Sequence, residues 1–532
     1  MGPEIIYLPD GQHFTVNPVF AGLFFKSNEL SAHGSAFPVG WTIVIHTEEE
    51  GTEVDDGEDG RPSTAGSLDA KGKPHVHSFT RPTLQGDSLF ISSISNPSSQ
   101  DFKPPASPTR RIAMMLWVTL YWYFHQHPPC AGLTTEASKS TPQAGKPRGQ
   151  WRVRVKKDGV LRGRNLLSKL ERMGLIASGN SAVGTAVEDS DDAWSDMFVS
   201  QHMFWQIPGR LFLFTLQPVP KRNTSTRSRS SSPGRRSRPG SSASQPGERV
   251  SPLQYQLLAL ADAEGSADLP ASVTSAPSFP VIGPFFSPSY LPTYYPPPPL
   301  QYTMTPDHCI RHPLRPKPPA MGEVFYTRFV PSVGQYLSFR VASLSPKPVP
   351  YLGPVGPLKP PLSQGEHAHL LSLTDSALLE SWFANPRVSA FWGQHDPGML
   401  RNALQSRHSF PAIGLWDGVP FGYFELYWVK EDVLGRYAGG GNIDDWDRGC
   451  HVLIGEEWAR GRVQSWLSSL VHWIFSADYR TMSVCLEPRV DNDRFIKHLE
   501  AAGFTKEKEV TFPHKQAWFG RLRRESWHGP AL

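Results

Sequence analysis

Three groups of residues have the types and spacing to do chemistry. His451 opens an apolar run, Val452-Leu453-Ile454, and a strand there would hold its imidazole in a fixed place. Such a histidine either packs as a structural group or handles a proton near neutral pH. Asp491 follows a second strand-like run in Glu487-Pro488-Arg489-Val490-Asp491-Asn492. From its place alone it reads as the cap of a helix starting at Asn492. Arg460-Gly461-Arg462 stands just before a helical pattern. Glycine lets the backbone approach a ligand and arginine adds charge, which suits a phosphate, although the same triplet also makes a surface turn. Two groupings, His125/His127/Cys130 and His308/Cys309/His312, lack a second spaced ligand pair, so no metal is expected.

The elements that must position these groups show in the periodicity. In the C-terminal part a strand is expected over Gln335–Leu344 and a helix over Ser376–Ala384, with Asp375 near its start as a cap. Pro411–Trp416 and Phe421–Val429 flank Asp417-Gly418 and read as a hairpin. Strand Cys450–Gly455, helix Arg462–Phe475, strand Met482–Glu487, helix Asn492–Ala502 and two final strands near Val510 and Ala517–Leu522 follow. Residues 1–220 read as a mixed α/β unit. Its expected strands include Glu4–Leu8, Val19–Phe25, Trp41–Thr47, Ser88–Ile94, Trp151–Lys156 and Arg210–Leu216. Its expected helices are Arg110–His125 and Arg164–Met173. An acidic, Gly-rich insert over 48–73 reads as a solvated loop.

Composition separates folded units from linker. Proline is 52 of 532 residues, about twice the usual share, yet 16 Trp and 29 Phe rule out a wholly disordered chain. The proline and serine concentrate over 221–307, read as a flexible Ser/Arg- and Pro-rich linker between a domain at 1–220 and one at 308–532. Lys221–Arg249 alone carries eight basic residues against Glu248. The total is +4, so the remainder sums near −3, too little and too scattered for a nucleic-acid surface. No apolar run reaches the ~20 residues of a membrane span, and no N-terminal signal is evident. Four scattered cysteines fit a reducing compartment, and a cytoplasmic location is expected over a peroxisomal one.

The C-terminal unit resembles a known family over about residues 312–525. Gly334–Ser343, Trp382-Phe383-Ala384-Asn385-Pro386-Arg387-Val388 with Phe391-Trp392-Gly393, and Gly422–Trp428 carry the likeness. Asp447-Arg448-Gly449, His451–Glu456, Glu487-Pro488 and Asp491-Asn492 complete it. The pattern is similar to the siderophore acyltransferases of the GNAT superfamily: bacterial lysine N-acyltransferases of the aerobactin and mycobactin type, and fungal N-hydroxyornithine acyltransferases. The resemblance implies an α/β (α+β) GNAT-like catalytic domain, with the N-terminal unit structural and possibly a degenerate GNAT-like half. It implies acyl-CoA as cosubstrate, with no metal and no bound cofactor. It also implies N-hydroxyornithine as acceptor and a hydroxamate for an iron-chelating siderophore as product. Acetyl-CoA is the preferred donor, because family members that use a larger branched donor are peroxisomal and Pro530-Ala531-Leu532 is not a peroxisomal tripeptide.

By that resemblance His451 and Asp491 are catalytic, Asp491 as an acid that holds the substrate amine or orients His451. Leu453, Ile454, Arg460, Gly461 and Arg462 hold coenzyme A, while Trp392, Asn385, Arg387, Glu487 and Asn492 line the acceptor site. Siderophore synthetases are possible partners, and an oligomer is open. Two other readings remain beside this one: a transacylase for a larger donor such as anhydromevalonyl-CoA, and a non-catalytic GNAT-like scaffold. An RNA-associated role would rest only on the Arg/Ser tract.

Overall fold

A computed structural model describes residues 4–9, 13–27, 40–49, 75–94, 102–103, 108–163, 166–178, 197–207, 217–218, 299–304, 309–356, 366–439 and 443–532. Most of the acidic insert, the Arg/Ser tract, most of the Pro-rich stretch and the expected strand Arg210–Leu216 lie outside the described residues.

The first half contains β1 (Glu4–Tyr7), β2 (His13–Val19), β3 (Gly22–Ser27), β4 (Trp41–Glu49), β5 (His75–Ser78), β6 (Asp87–Ile94), β7 (Phe102–Lys103), β8 (Arg152–Gly159), β9 (Phe198–Ser200) and β10 (Gln217–Pro218). One sheet runs β1-β2-β3-β4-β6-β8-β9, with β5 also on β4, and β7 pairs with β10. The run Val19–Phe25 is not one strand. Val19 pairs back onto Gly22 through Phe20 and Ala21, and Ala21 takes a positive φ of 58°, so a hairpin interrupts the apolar pattern. Helix Pro108–Phe124 is buried along its whole second half, from Ala113 onward, which explains why its sequence is apolar on every side.

The second half opens with a hairpin of β11 (Leu300–Met304) and β12 (Cys309–Pro313). Leu300–Met304, within the span read as linker, pairs with Cys309–Pro313, with Leu300 opposite Pro313. The main sheet is built from β13 (Val324–Val330), β14 (Gln335–Val341), β15 (Ser409–Trp416), β16 (Val419–Trp428), β17 (Arg448–Ile454), β18 (Ser483–Leu486), β19 (Thr505–Thr511) and β20 (Gln516–Arg523). Its order is β13-β14-β15-β16-β17-β18-β20-β19. Strands β14 and β15 are buried on both faces; β15 is largely apolar, whereas β14 also buries Gln335, Ser338 and Arg340, each with a hydrogen-bond partner. Asp417 and Gly418 turn the β15–β16 hairpin with φ of 47° and 86°. The Asp417 carboxylate is buried and accepts from Gln335 Nε2 (2.9 Å), the Tyr336 N–H (2.8 Å) and the Gly356 N–H (2.9 Å), which locks the turn to β14.

Asp375 does not cap its helix, Asp375–Phe383. Thr374 does, accepting from the Ala377 N–H. Asp375 instead turns inward and meets Arg340 of β14 in a two-pronged pair of 2.8 and 2.9 Å, where burial makes each group depend on the other.

The two halves repeat one connection. In each, a central strand is followed by a helix and then by a parallel neighbour: β6, helix Pro108–Phe124 and β8 in one; β17, helix Val463–Ala477 and β18 in the other. They differ at the parallel pair. β6 and β8 stay together to Ile91↔Gly159, and Gly159 lies so close that a Cβ would sit 2.1 Å from the Ile91 carbonyl. β17 and β18 pair only at Arg448↔Val484 and Gly449↔Cys485. Beyond that point β17 continues with one edge open. The halves also share apolar core: Tyr7 packs on Phe329 (ring centroids 4.5 Å), and Trp205 meets His472 (5.6 Å).

Candidate active site

The open edge of β17 borders two adjoining cavities that share Phe391, Trp392, Val452, Asn492 and Phe495 in their walls. The first, about 210 Å³, has an apolar floor of Val452, Leu453, Ile454, Val463 and Trp466 and a rim bearing Arg387, Arg460, Arg494 and His498. The second, about 320 Å³, holds His451, Glu487, Pro488, Arg489, His514 and Lys515.

Strand register builds the reactive group. His451 lies directly across from Glu425 of β16, and Glu487 comes at the end of β18. His451 Nε2 is 3.0 Å from Glu487 Oε1, and Nδ1 is 3.7 Å from Glu425 Oε2. The Tyr427 ring packs against the imidazole at 4.5 Å between centroids, and its hydroxyl donates to Glu487 Oε2 (2.7 Å). Ser409 Oγ donates to Glu425 (2.9 Å), and Lys515 Nζ donates to the Glu487 carbonyl (2.9 Å).

These neighbours set the protonation states. Burial alone would lower the His451 pKa, but the Glu487 charge and the contacts with Glu425 and Glu487 raise it well above 6.5. Burial works to raise Glu487, yet the His451 charge wins and holds it down to about 2. Burial first, and then the Glu487 charge, push the Tyr427 hydroxyl well above 10, so it remains a donor. A ring facing a carboxylate on each nitrogen is an imidazolium at neutral pH. Its contribution to folding is complete below the unfolded value near 6.5 and is lost only as pH rises through the raised one. That of Glu487 is present above about 4.5 and fades as pH falls toward 2.

Several expected site residues stand in these walls. Leu453, Ile454, Arg387 and Arg460 line the first cavity, Glu487 the second, and Trp392 and Asn492 both. Trp392 Nε1 donates to the Val452 carbonyl at 3.2 Å on the open edge of β17. Antiparallel alternation then turns the Val452 and Ile454 backbone groups to that edge, while those of Leu453 face Tyr423 of β16. Arg387 pairs with Glu457, which also lies 3.9 Å from Arg460 Nε. Gly461 is open: a Cβ there would meet no protein atom within 4 Å.

Three expected residues point elsewhere. Arg462 donates to Gln335 Oε1 (2.8 Å) and stacks over Trp416 and Trp458, so its charge is used inside the fold. Asn385 caps helix Pro386–Trp392, accepting from the Arg387 N–H (3.1 Å), and is in neither cavity wall. Asp491 is exposed and held by Arg489 in a two-pronged pair of 2.6 and 2.7 Å. The acids next to His451 are Glu487 and Glu425, because β18 ends beside His451 while Asp491 lies in the turn beyond it. Nor does Asp491 cap the next helix, Asp493–Ala501; Asn492 takes the cap position, without a side-chain bond.

Sequence reasoning missed Glu425 as a partner of His451, although the register set by the Asp417-Gly418 turn contains it. It also missed Arg494 and His498. They stand four apart on helix Asp493–Ala501 and so share a face, which is the signal that could have found them.

The described members of the two His/Cys groupings discounted as metal sites have other partners. His125 Nδ1 bonds the Tyr121 carbonyl, Cys130 meets Gln143, and His312 lies between Thr303 and Glu431. Among the described residues no three His, Cys, Asp or Glu side chains stand together as a metal site, and no helix is long and apolar enough to cross a membrane.

Comparison with known proteins assigns the family. Residues 372–512 match the acetyltransferase (GNAT) domain model. The N5-hydroxyornithine acetylase sidL of Beauveria bassiana is 56% identical over 97% of this chain and 100% of its own length. The chain belongs to the N5-hydroxyornithine acetylase family. Two further relatives match a smaller share. The N(6)-hydroxylysine O-acetyltransferase of Escherichia coli is 36% identical over 39% of this chain and 58% of its own. The N(5)-hydroxyornithine:cis-anhydromevalonyl coenzyme A-N(5)-transacylase SIDF of Beauveria bassiana is 35% identical over 46% of this chain and 52% of its own. For this member of the acetylase family, the matched domain contains the open edge of β17, the His451–Glu487 pair and most of both cavity walls.

Proposed function

We propose that this protein transfers an acetyl group from acetyl-CoA to the side-chain hydroxylamine of N5-hydroxyornithine, giving a hydroxamate. The observation that carries the reading is the open edge of β17, with an anion-attracting apolar slot on one side and the His451–Glu487 pair on the other. The slot suits an acyl-CoA: its apolar floor takes the pantetheine arm, and Arg387, Arg460, Arg494 and His498 meet phosphates. The open Gly461 and the start of helix Val463–Ala477 lie at the same end. The Val452 and Ile454 N–H groups can polarise the thioester carbonyl at no reorganisation cost.

The acceptor nitrogen uses its lone pair on the thioester carbon. A C–N bond forms, the C–S bond breaks, and coenzyme A leaves as a thiolate. A hydroxylamine is much less basic than an alkylamine, so its free nucleophile exists at neutral pH and needs positioning more than a strong base. The imidazolium of His451 gives its proton to the departing sulfur and takes back the one that the nitrogen sheds. Glu487 and Glu425 hold the ring in place throughout.

Steady-state transfer with acetyl-CoA and with a branched C5 acyl-CoA tests the donor. Acetyl-CoA is expected to give the higher kcat/KM, and a C5 preference would replace it with the larger-donor reading. Arg460→Ala is expected to raise KM for acyl-CoA by about tenfold while leaving kcat within about twofold, the signature of lost ground-state binding. An unchanged KM would remove Arg460 from the donor site.

A further inference from the structure

The cavity that contains His451 has a second charged pole that the transfer chemistry leaves unused. Arg489 lines it, and its guanidinium is fixed from several sides: the Asp491 carboxylate at 2.6 and 2.7 Å, the Ala390 carbonyl at 3.1 Å and the Phe391 ring at 4.6 Å. The backbone beneath is equally fixed. Val490 N–H donates to the Gln516 carbonyl, Trp518 N–H donates to the Pro488 carbonyl, and Arg489 bridges Ala517. An exposed ion pair held this rigidly keeps its geometry at little entropic cost when a ligand arrives.

Its spacing from the reactive pole is short. Glu487 and Arg489 are separated by Pro488 alone and share one cavity wall. Two steps of extended chain cover about 6–7 Å. A diamino acid with three methylene groups between its side-chain nitrogen and its α-carbon covers a similar length.

We propose that Arg489 and Asp491 form a clamp for the amino-acid end of the acceptor: Arg489 takes the α-carboxylate and Asp491 the α-ammonium. The proposal rests on the acceptor class given above. On binding, the zwitterion and the ion pair exchange partners, so two opposite charges meet two opposite charges and none is left unpaired. Specificity follows from the same exchange. An acceptor lacking the carboxylate leaves Arg489 with Asp491 and gains nothing, and a longer side chain sets the zwitterion beyond the clamp when the nitrogen is at His451. Asp491 is then a binding residue at the mouth and not an orienting partner of the imidazole.

The test compares N5-hydroxyornithine with its decarboxylated counterpart, 4-(hydroxyamino)butylamine, using wild-type protein, Arg489→Ala and Arg489→Lys. Arg489→Ala is expected to raise KM for hydroxyornithine by about ten- to a hundredfold, the size of a lost charge-assisted bond, with kcat within about threefold. KM for the decarboxylated acceptor is expected not to rise, since it has no carboxylate to lose and Asp491 is then free for its ammonium, and Arg489→Lys to recover part of the loss. Equal effects on both acceptors, or a wild-type enzyme indifferent to the carboxylate, would overturn the clamp. Calorimetric binding of ornithine itself separates this from the reaction. If no hydroxylamine is turned over, the functional reading fails. The clamp still stands if ornithine binds wild type and not Arg489→Ala, and falls if it binds both equally or neither.

Discussion

Glu487→Gln is expected to lower kcat for hydroxamate formation by about a hundredfold or more, within the range usual for a general acid–base group. The carboxylate is buried, faces His451 Nε2 at 3.0 Å and accepts the Tyr427 hydroxyl at 2.7 Å. An amide of the same shape preserves the packing but removes the charge that keeps the imidazolium. The His451 pKa then falls back toward its ordinary 6.5. Two readouts follow. In wild type the His451 ring stays protonated through neutral pH by NMR titration, and kcat falls only on the alkaline side. In Glu487→Gln the ring titrates at lower pH and the alkaline limb moves down with it. His451→Ala is expected to retain measurable turnover, since the hydroxylamine needs no strong base. Combining it with Glu487→Gln should add little, because the two act as one unit. A Glu487→Gln enzyme within threefold of wild type, with an unmoved pH profile, would show that the pair does not take part.

Asp375→Ala is expected to cost about 3–5 kcal/mol of folding stability, the usual cost of leaving one member of a buried ion pair alone. Arg340 and Asp375 are both nearly inaccessible, and Asp375 also accepts the Ser343 N–H at 2.7 Å. Removing the carboxylate strands a guanidinium between β14 and helix Asp375–Phe383, which carries part of the wall behind Trp392. The measurement is the denaturant midpoint of the full chain followed by tryptophan fluorescence. Asp375→Asn should lie between wild type and Asp375→Ala, as it keeps an acceptor. A shift below about 1 kcal/mol would mean that the pair is dispensable.

Much of this architecture is readable from residue order. The apolar runs of β15 and β16, the Asp417-Gly418 turn and the helix before β18 follow from period and turn chemistry, which are local. Contacts set by register are not local. His451 stands out by its position, but its acid is decided by the place where β18 ends, and Asp491 and Glu487 look equally suitable in sequence. Arg460 and Arg462 flank one glycine, yet one faces the slot and the other stacks on Trp416, because the turn before helix Val463–Ala477 rotates them apart. Asp375 looks like a cap because caps are common at that position, and the buried Arg340 that claims it lies 35 residues earlier.

The most direct test of the account is hydroxamate formation by the purified protein with acetyl-CoA, comparing N5-hydroxyornithine with ornithine. The account predicts turnover of N5-hydroxyornithine and little or none of ornithine, whose ammonium finds no free base beside an imidazolium. Coenzyme A binding without turnover of either acceptor, or equal turnover of both, would contradict it.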